Sequence, residues 1–118
     1  MPKYSIPQPD VVRLRHMLDA AQEALSFVED KELIDVVRNR QLTLSLIKDV
    51  ENIGEAASRV SAETQAALPA IDWRTIIATR NRLIHVYFDI DFKVVWETAT
   101  QDLRPLIAAL KSILTSDR

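Results

Sequence analysis

Apolar residues recur along the chain at alternating steps of three and four, the spacing of one helix face. The first series runs Val11, Leu14, Leu18, Ala21, Leu25 and Val28. Asp10 precedes it as an expected N-cap. Pro2, Pro7 and Pro9 make residues 1–9 an expected extended arm ahead of a single domain over 10–118. A second, longer series from Lys31 to Val60 sets Leu46, Val50, Ile53, Ala57 and Val60 in one row. Leu33, Val37, Leu44 and Ile47 lie beside them. Two adjacent rows predict a wide apolar stripe packed between two neighbours. Gly54 falls inside this helix, where it costs about 1 kcal/mol relative to alanine and is usually compensated by close approach of another backbone.

Ser61 to Leu68 predicts a short helical turn ahead of Pro69, and Asp72 caps a helix from Trp73 to about Val86. Asp89 or Asp91 then opens a last helix to about Leu114, with Val95, Ala99, Leu103, Leu106, Leu110 and Ile113 inward and a kink expected at Pro105. The sum is an all-α bundle of four main helices plus a short one. Composition agrees. One glycine in 118 residues leaves an antiparallel sheet short of tight turns. The absence of cysteine excludes disulfides, thiolate zinc sites and cysteine nucleophiles, and fits the cytoplasm. No stretch is long and apolar enough for a membrane span. With 15 Lys+Arg against 17 Asp+Glu the net charge is -2, so bulk electrostatic coating of nucleic acid is excluded and any such contact is local.

The chemistry concentrates in the helix that starts at Trp73. At about 100° per residue, Ile76, Ile77, Leu83, Ile84, Tyr87 and Phe88 fall within roughly 80° of Trp73, and Arg80 falls about 20° from it. A guanidinium inside an apolar arc needs an anion or a cleft, because burying it unpaired costs several kcal/mol. Asn81 and His85 stack on the flank of the arc with Arg74 between them. An arginine fork suits phosphate oxygens, and an imidazole suits proton movement near neutral pH. The plain alternative also fits: Arg80 pairs with an acidic residue of a neighbouring helix, and His85 complements the helix C-terminus. His16 reads as a solvated surface residue, and Trp73 and Trp96 as core anchors. Glu51 and Glu55 are four apart, but no Glu-x-x-His accompanies them, so a partner for Arg59 is preferred to a metal pair.

The run Arg80-Asn81-Arg82-Leu83-Ile84-His85-Val86-Tyr87 resembles the Arg-x4-His-x-Tyr signature of the HepT-like toxins of the HEPN superfamily. Ile53-Gly54-Glu55-Ala56-Ala57, Asp72-Trp73-Arg74 and the stretch from Asp91 through Val95-Trp96 to Asp102-Leu103 are similar to that family as well. Val86 stands where many relatives have glycine. The resemblance implies a HEPN bundle acting as a metal-independent endoribonuclease without a cofactor. It also implies the toxin of a toxin–antitoxin pair whose nucleotidyltransferase antitoxin, of the MntA type, transfers AMP to the motif tyrosine, here Tyr87. Arg80 and His85 are then the catalytic pair, with Asn81 as the polar residue beside them and Arg74 or Arg82 holding the RNA. One motif histidine per chain supplies both an acid and a base only in a homodimer with the two motifs facing one cleft. The rival reading is a non-catalytic module that presents nucleotide or RNA to its nucleotidyltransferase partner.

Overall fold

The structure, a computed structural model, describes residues 5–85 and 90–116. Every regular element among them is helical. In chain order these are α1 (Gln8–Val28), α2 (Leu33–Arg38), α3 (Arg40–Arg59), α4 (Ala62–Ala67), α5 (Trp73–His85), α6 (Phe92–Glu97) and α7 (Leu103–Ser116). A π turn over Thr98–Asp102 joins α6 to α7. The expected four-helix architecture is present as α1, α3, α5 and the composite α6–α7, with two short helices rather than one. Helix α3 packs between α1 and α5, while α7 closes the far side of α1. None of these helices is long and apolar enough to cross a membrane.

The core follows most of the predicted rows, except that in α1 Met17 is buried while the expected Leu18 and Leu25 are only partly so. Val11, Leu14, Met17, Ala21 and Val28 of α1 meet Leu46, Val50, Ile53 and Ala57 of α3, and Leu103, Leu106, Leu110 and Ile113 of α7 complete the cluster. Three boundaries depart from expectation, each for a local reason. Helix α1 begins at Gln8, so Asp10 lies in its first turn and does not cap it. The Asp10 carboxylate is instead buried, accepting hydrogen bonds from the Ser61 backbone N–H at 3.0 Å, the Ser61 hydroxyl at 2.6 Å and the Thr64 hydroxyl at 2.5 Å. Burial works to raise its pKa, but these bonds outweigh burial and hold it below the ordinary value.

The expected single helix from Lys31 to Val60 is two helices. Asn39 takes an extended conformation and caps α3, its side-chain oxygen accepting from the Leu42 N–H at 3.1 Å. Asp35 accepts from the Glu32 N–H at 2.8 Å to start α2, and the Thr43 hydroxyl donates to the Val36 carbonyl at 2.7 Å to bind the two pieces. The break turns the second predicted row outward: Leu33, Val37 and Leu44 are exposed, and only Ile47 of that row is buried. The irregularity anticipated at Pro105 sits earlier. Pro105 has no N–H for the Gln101 carbonyl, and the wider π turn opens the ladder where its ring meets that carbonyl. Asp91 caps α6, accepting from the Val94 N–H at 3.2 Å, whereas Asp89 lies outside the described residues.

Removing the Asp10 side chain as Asp10→Ala strands the Ser61 N–H and two hydroxyls at the α1–α4 junction. The expected loss is about 2–4 kcal/mol, read as a lower urea midpoint, with Asp10→Asn intermediate.

Candidate functional site

The site is built where α3 crosses α5. Asp72 caps α5 by accepting from the Thr75 N–H at 3.2 Å and its hydroxyl at 2.8 Å. The Trp73 indole, buried, donates to the Leu68 carbonyl at 3.1 Å and fixes the rotation of the helix. With Trp73 and Leu83 inward, Arg80 points at α3, as the helical arc requires. The residue it meets there is Gly54. A Cβ on Gly54 would run into the Cβ of Arg80 and come within 3.0 Å of its Cγ and 3.2 Å of its Cδ. The glycine therefore makes room for the arginine stem, the close approach expected from its position.

The Arg80 side chain is only 21% exposed, and its guanidinium is held at three of its five N–H groups. Nη1 donates to Glu55 Oε2 at 2.7 Å, while Nε and Nη2 donate to Asn81 Oδ1 at 3.2 and 2.8 Å. Among the described residues, one N–H on Nη1 and one on Nη2 have no acceptor. The plain alternative for Arg80, an acidic partner on a neighbouring helix, is thus present in Glu55. It does not close the site, because Glu55 is itself 49% exposed. The other Glu55 oxygen accepts from Arg59 Nε at 3.0 Å and Nη2 at 2.9 Å, as the sequence spacing anticipated. Hydrogen bonding from Arg59, with the charges of Arg59 and Arg80, keeps the Glu55 carboxyl below its ordinary pKa. So exposed a pair adds little stability. Its effect is geometric: one carboxylate sets two guanidinium groups side by side.

Asn81, Arg74 and Arg82 are exposed on α5. Asn81 is engaged with Arg80 through its side-chain oxygen. His85 is the last residue of α5, one turn beyond Asn81, and Tyr87 lies outside the described residues. Glu51 does not join Glu55; its Oε1 is buried without a hydrogen-bond partner. Among the described residues no cluster of three acidic or histidine side chains has the geometry of a metal site.

A second feature escaped the sequence reading. Asp49 is buried on α3, its Oδ2 sealed from solvent and its carboxyl set against that of Glu23. Burial, together with the negative charge and shared hydrogen bond of Glu23, pushes its carboxyl up to about 6. The signal was available, since Asp49 interrupts the buried row between Leu46 and Ile53 much as Arg80 interrupts the arc of α5.

The model of the family described as Ribonuclease HepT-like matches residues 17–113. A protein of Thermococcus cleftensis named "Probable ribonuclease HepT" is 30% identical over 93 residues, covering 75% of this chain and 84% of its own. Two proteins named "Putative RNase" are each 28% identical. The one from Caldanaerobacter subterraneus subsp. tengcongensis aligns over 105 residues, 89% of this chain and 94% of its own. The one from Methanocaldococcus jannaschii aligns over 90 residues, 76% and 83% respectively. No solved structure matches the chain.

Two outcomes follow from the geometry. Gly54→Ala forces α3 and α5 apart and should destabilise the bundle by about 1–3 kcal/mol, with the Arg80 Nε resonance shifting in NMR spectra. For Asp49, a folded pKa above the unfolded one means that its contribution is fully present below pH about 4 and lost as pH rises through about 6. Asp49→Asn should therefore raise the melting temperature at pH 7.5, by a gain of about 1 kcal/mol, and leave it nearly unchanged at pH 4.

Proposed function

The chain belongs to the HepT-like ribonuclease family, and from that premise we propose that it is a toxin cleaving RNA without a metal at a site made by Arg80 and His85. The carrying observation is the Arg80 fork, oriented on Glu55 and Asn81 with one N–H on each terminal nitrogen unclaimed among the described residues. Those two N–H groups suit two non-bridging oxygens of a phosphodiester. The RNA 2'-hydroxyl attacks the adjacent phosphorus, the bond to the 5'-oxygen breaks, and a 2',3'-cyclic phosphate forms. His85 moves the proton, and Arg80 stabilises the charge that builds on the phosphorane oxygens. Asn81 acts through Arg80, as a positioning residue. Arg74 and Arg82, exposed on the same helix, hold the flanking strand.

Attack and departure need a base and an acid, so two copies of His85 across a twofold homodimer serve one scissile phosphate. Regulation follows from the same cleft. An AMP group placed on Tyr87 by a nucleotidyltransferase antitoxin introduces a bulky anion two residues from His85 and competes for the phosphate position. The proposed setting for this pair is the cytoplasm.

The test is a cleavage assay on single-stranded RNA in EDTA, with matched DNA as control. RNA, not DNA, should be cut, and His85→Ala or Arg80→Ala should lower the rate by about 10²-fold or more while RNA still binds. Binding by all three proteins with cleavage by none would leave a nucleotide-presenting module in place of an enzyme.

A further inference from the structure

Glu55 carries two arginines, and only Arg80 belongs to the proposed catalytic pair. Arg59 takes the other carboxylate oxygen, with Nε donating at 3.0 Å and Nη2 lying at 2.9 Å. Two cations on one anion leave Arg59, Glu55 and Arg80 with an excess positive charge. Glu55 stays ionised at neutral pH, because the hydrogen bond from Arg59 and the charges of both arginines keep its carboxyl below the ordinary value. One arginine would neutralise it. The second adds little stability at this exposure, so the fold gains little by placing it there.

Arg59 presents its Nε edge to Glu55, which turns the opposite end of the guanidinium away from the carboxylate. Among the described residues, both N–H groups of Nη1 and one of Nη2 have no acceptor. The side chain is 56% exposed, so an incoming anion can reach them. Arg13 adds to the local charge. Asp10 of α1 is bonded to Ser61, just past the end of α3, so Arg13, one turn after Asp10, stands at the same end of the helix pair as Arg59. It has no ion-pair partner among the described residues. The acidic Asp19 and Glu23 lie farther along α1, away from this end. In a chain of net charge -2, such a local excess is where a polyanion is drawn.

We infer that Arg59 is a second phosphate contact of the ribonuclease site, taking the phosphodiester next to the one held by Arg80. The inference deepens the ribonuclease reading and rests on it for the RNA and for the scissile phosphate. Both arginines hang on one carboxylate, so their outward N–H groups are separated by little more than that carboxylate and two hydrogen bonds. This span is comparable with that between neighbouring phosphates of one strand. The strand then crosses from α5 onto the end of α3 instead of following α5 alone. Two held phosphates pin the nucleoside between them, which a single fork leaves free to turn. Glu55 sets the distance between the two contacts without touching RNA, and is a positioning residue for both.

The experiment measures binding of a short mixed-sequence 2'-O-methyl RNA, which lacks the attacking hydroxyl, to the full chain over a salt series, alongside steady-state cleavage of the matching RNA. Arg59→Ala should weaken binding about tenfold, lower the slope of log affinity against log salt by about 0.7, and raise KM more than it lowers kcat. Arg59→Lys should keep the slope, and Arg104→Ala, on α7, should change neither affinity nor slope. A role exerted only through the carboxylate is separated by Glu55→Gln: adding Arg59→Ala to that variant should still lower the slope by the same amount. An unchanged slope in Arg59→Ala, or a loss that vanishes in the Glu55→Gln background, overturns the inference whether or not RNA is cut. An Arg59-dependent slope in a protein that cleaves no RNA keeps the second contact and removes the catalytic reading.

Discussion

The contact on which the site depends is the crossing of α3 and α5 at Gly54 and Arg80. A bundle of this size has little interior to give to a long cationic side chain, and burying one without a partner is prohibitive. Omitting a single Cβ on α3 frees the volume for the arginine stem, and the next residue, Glu55, supplies the counter-charge. Steric room and electrostatic neutralisation thus come from adjacent positions of one helix. That coupling permits Arg80 to stand in an apolar arc while its terminal nitrogens stay at the surface.

Much of this was legible before any coordinates. The rows of α1, α3 and α7, the caps at Asp72 and Asp91 and the short helix after Ser61 follow from spacing and capping chemistry, because each depends on residues within a few positions of one another. Arg80 was legible as an anomaly for the same reason. The break at Asn39 was not, since the apolar period continues across it and only the competition between a cap and a continuous helix decides the outcome. Asp10 was assigned to the wrong helix end. Its true partners, Ser61 and Thr64, are some fifty residues away in sequence, and no local rule reaches that far. The role of Glu55 was half visible: its spacing to Arg59 was local, its bond to Arg80 tertiary.

The two polar anomalies are settled in opposite ways. Arg80 is neutralised, oriented and left partly open, as suits a group that meets an incoming anion. Asp49 is covered and set against the Glu23 carboxyl, which together with burial favours its protonated form. Natural sequences usually satisfy such groups or replace them with apolar ones. Retaining one on the helix that also carries Gly54 and Glu55 is a local inconsistency of the sort that marks functional positions.

The widened turn between α6 and α7 has a consequence for sequence drift. Val95, Ala99 and Leu103 follow one another at steps of four, slightly more than a regular helical turn, and the π geometry over Thr98–Asp102 takes up the excess so that all three stay buried, α6 against α2 and α3 and α7 against α1. The turn holds about one residue more than an α-helical turn does. A deletion between Thr98 and Asp102 is thereby absorbed as ordinary α-helix, whereas the same deletion in the middle of α3 rotates Glu55 and Asp49 off their partners. Tolerance to indels is concentrated at this irregular turn, although Thr98 and Asp102 border Thr75 and Thr79 of α5.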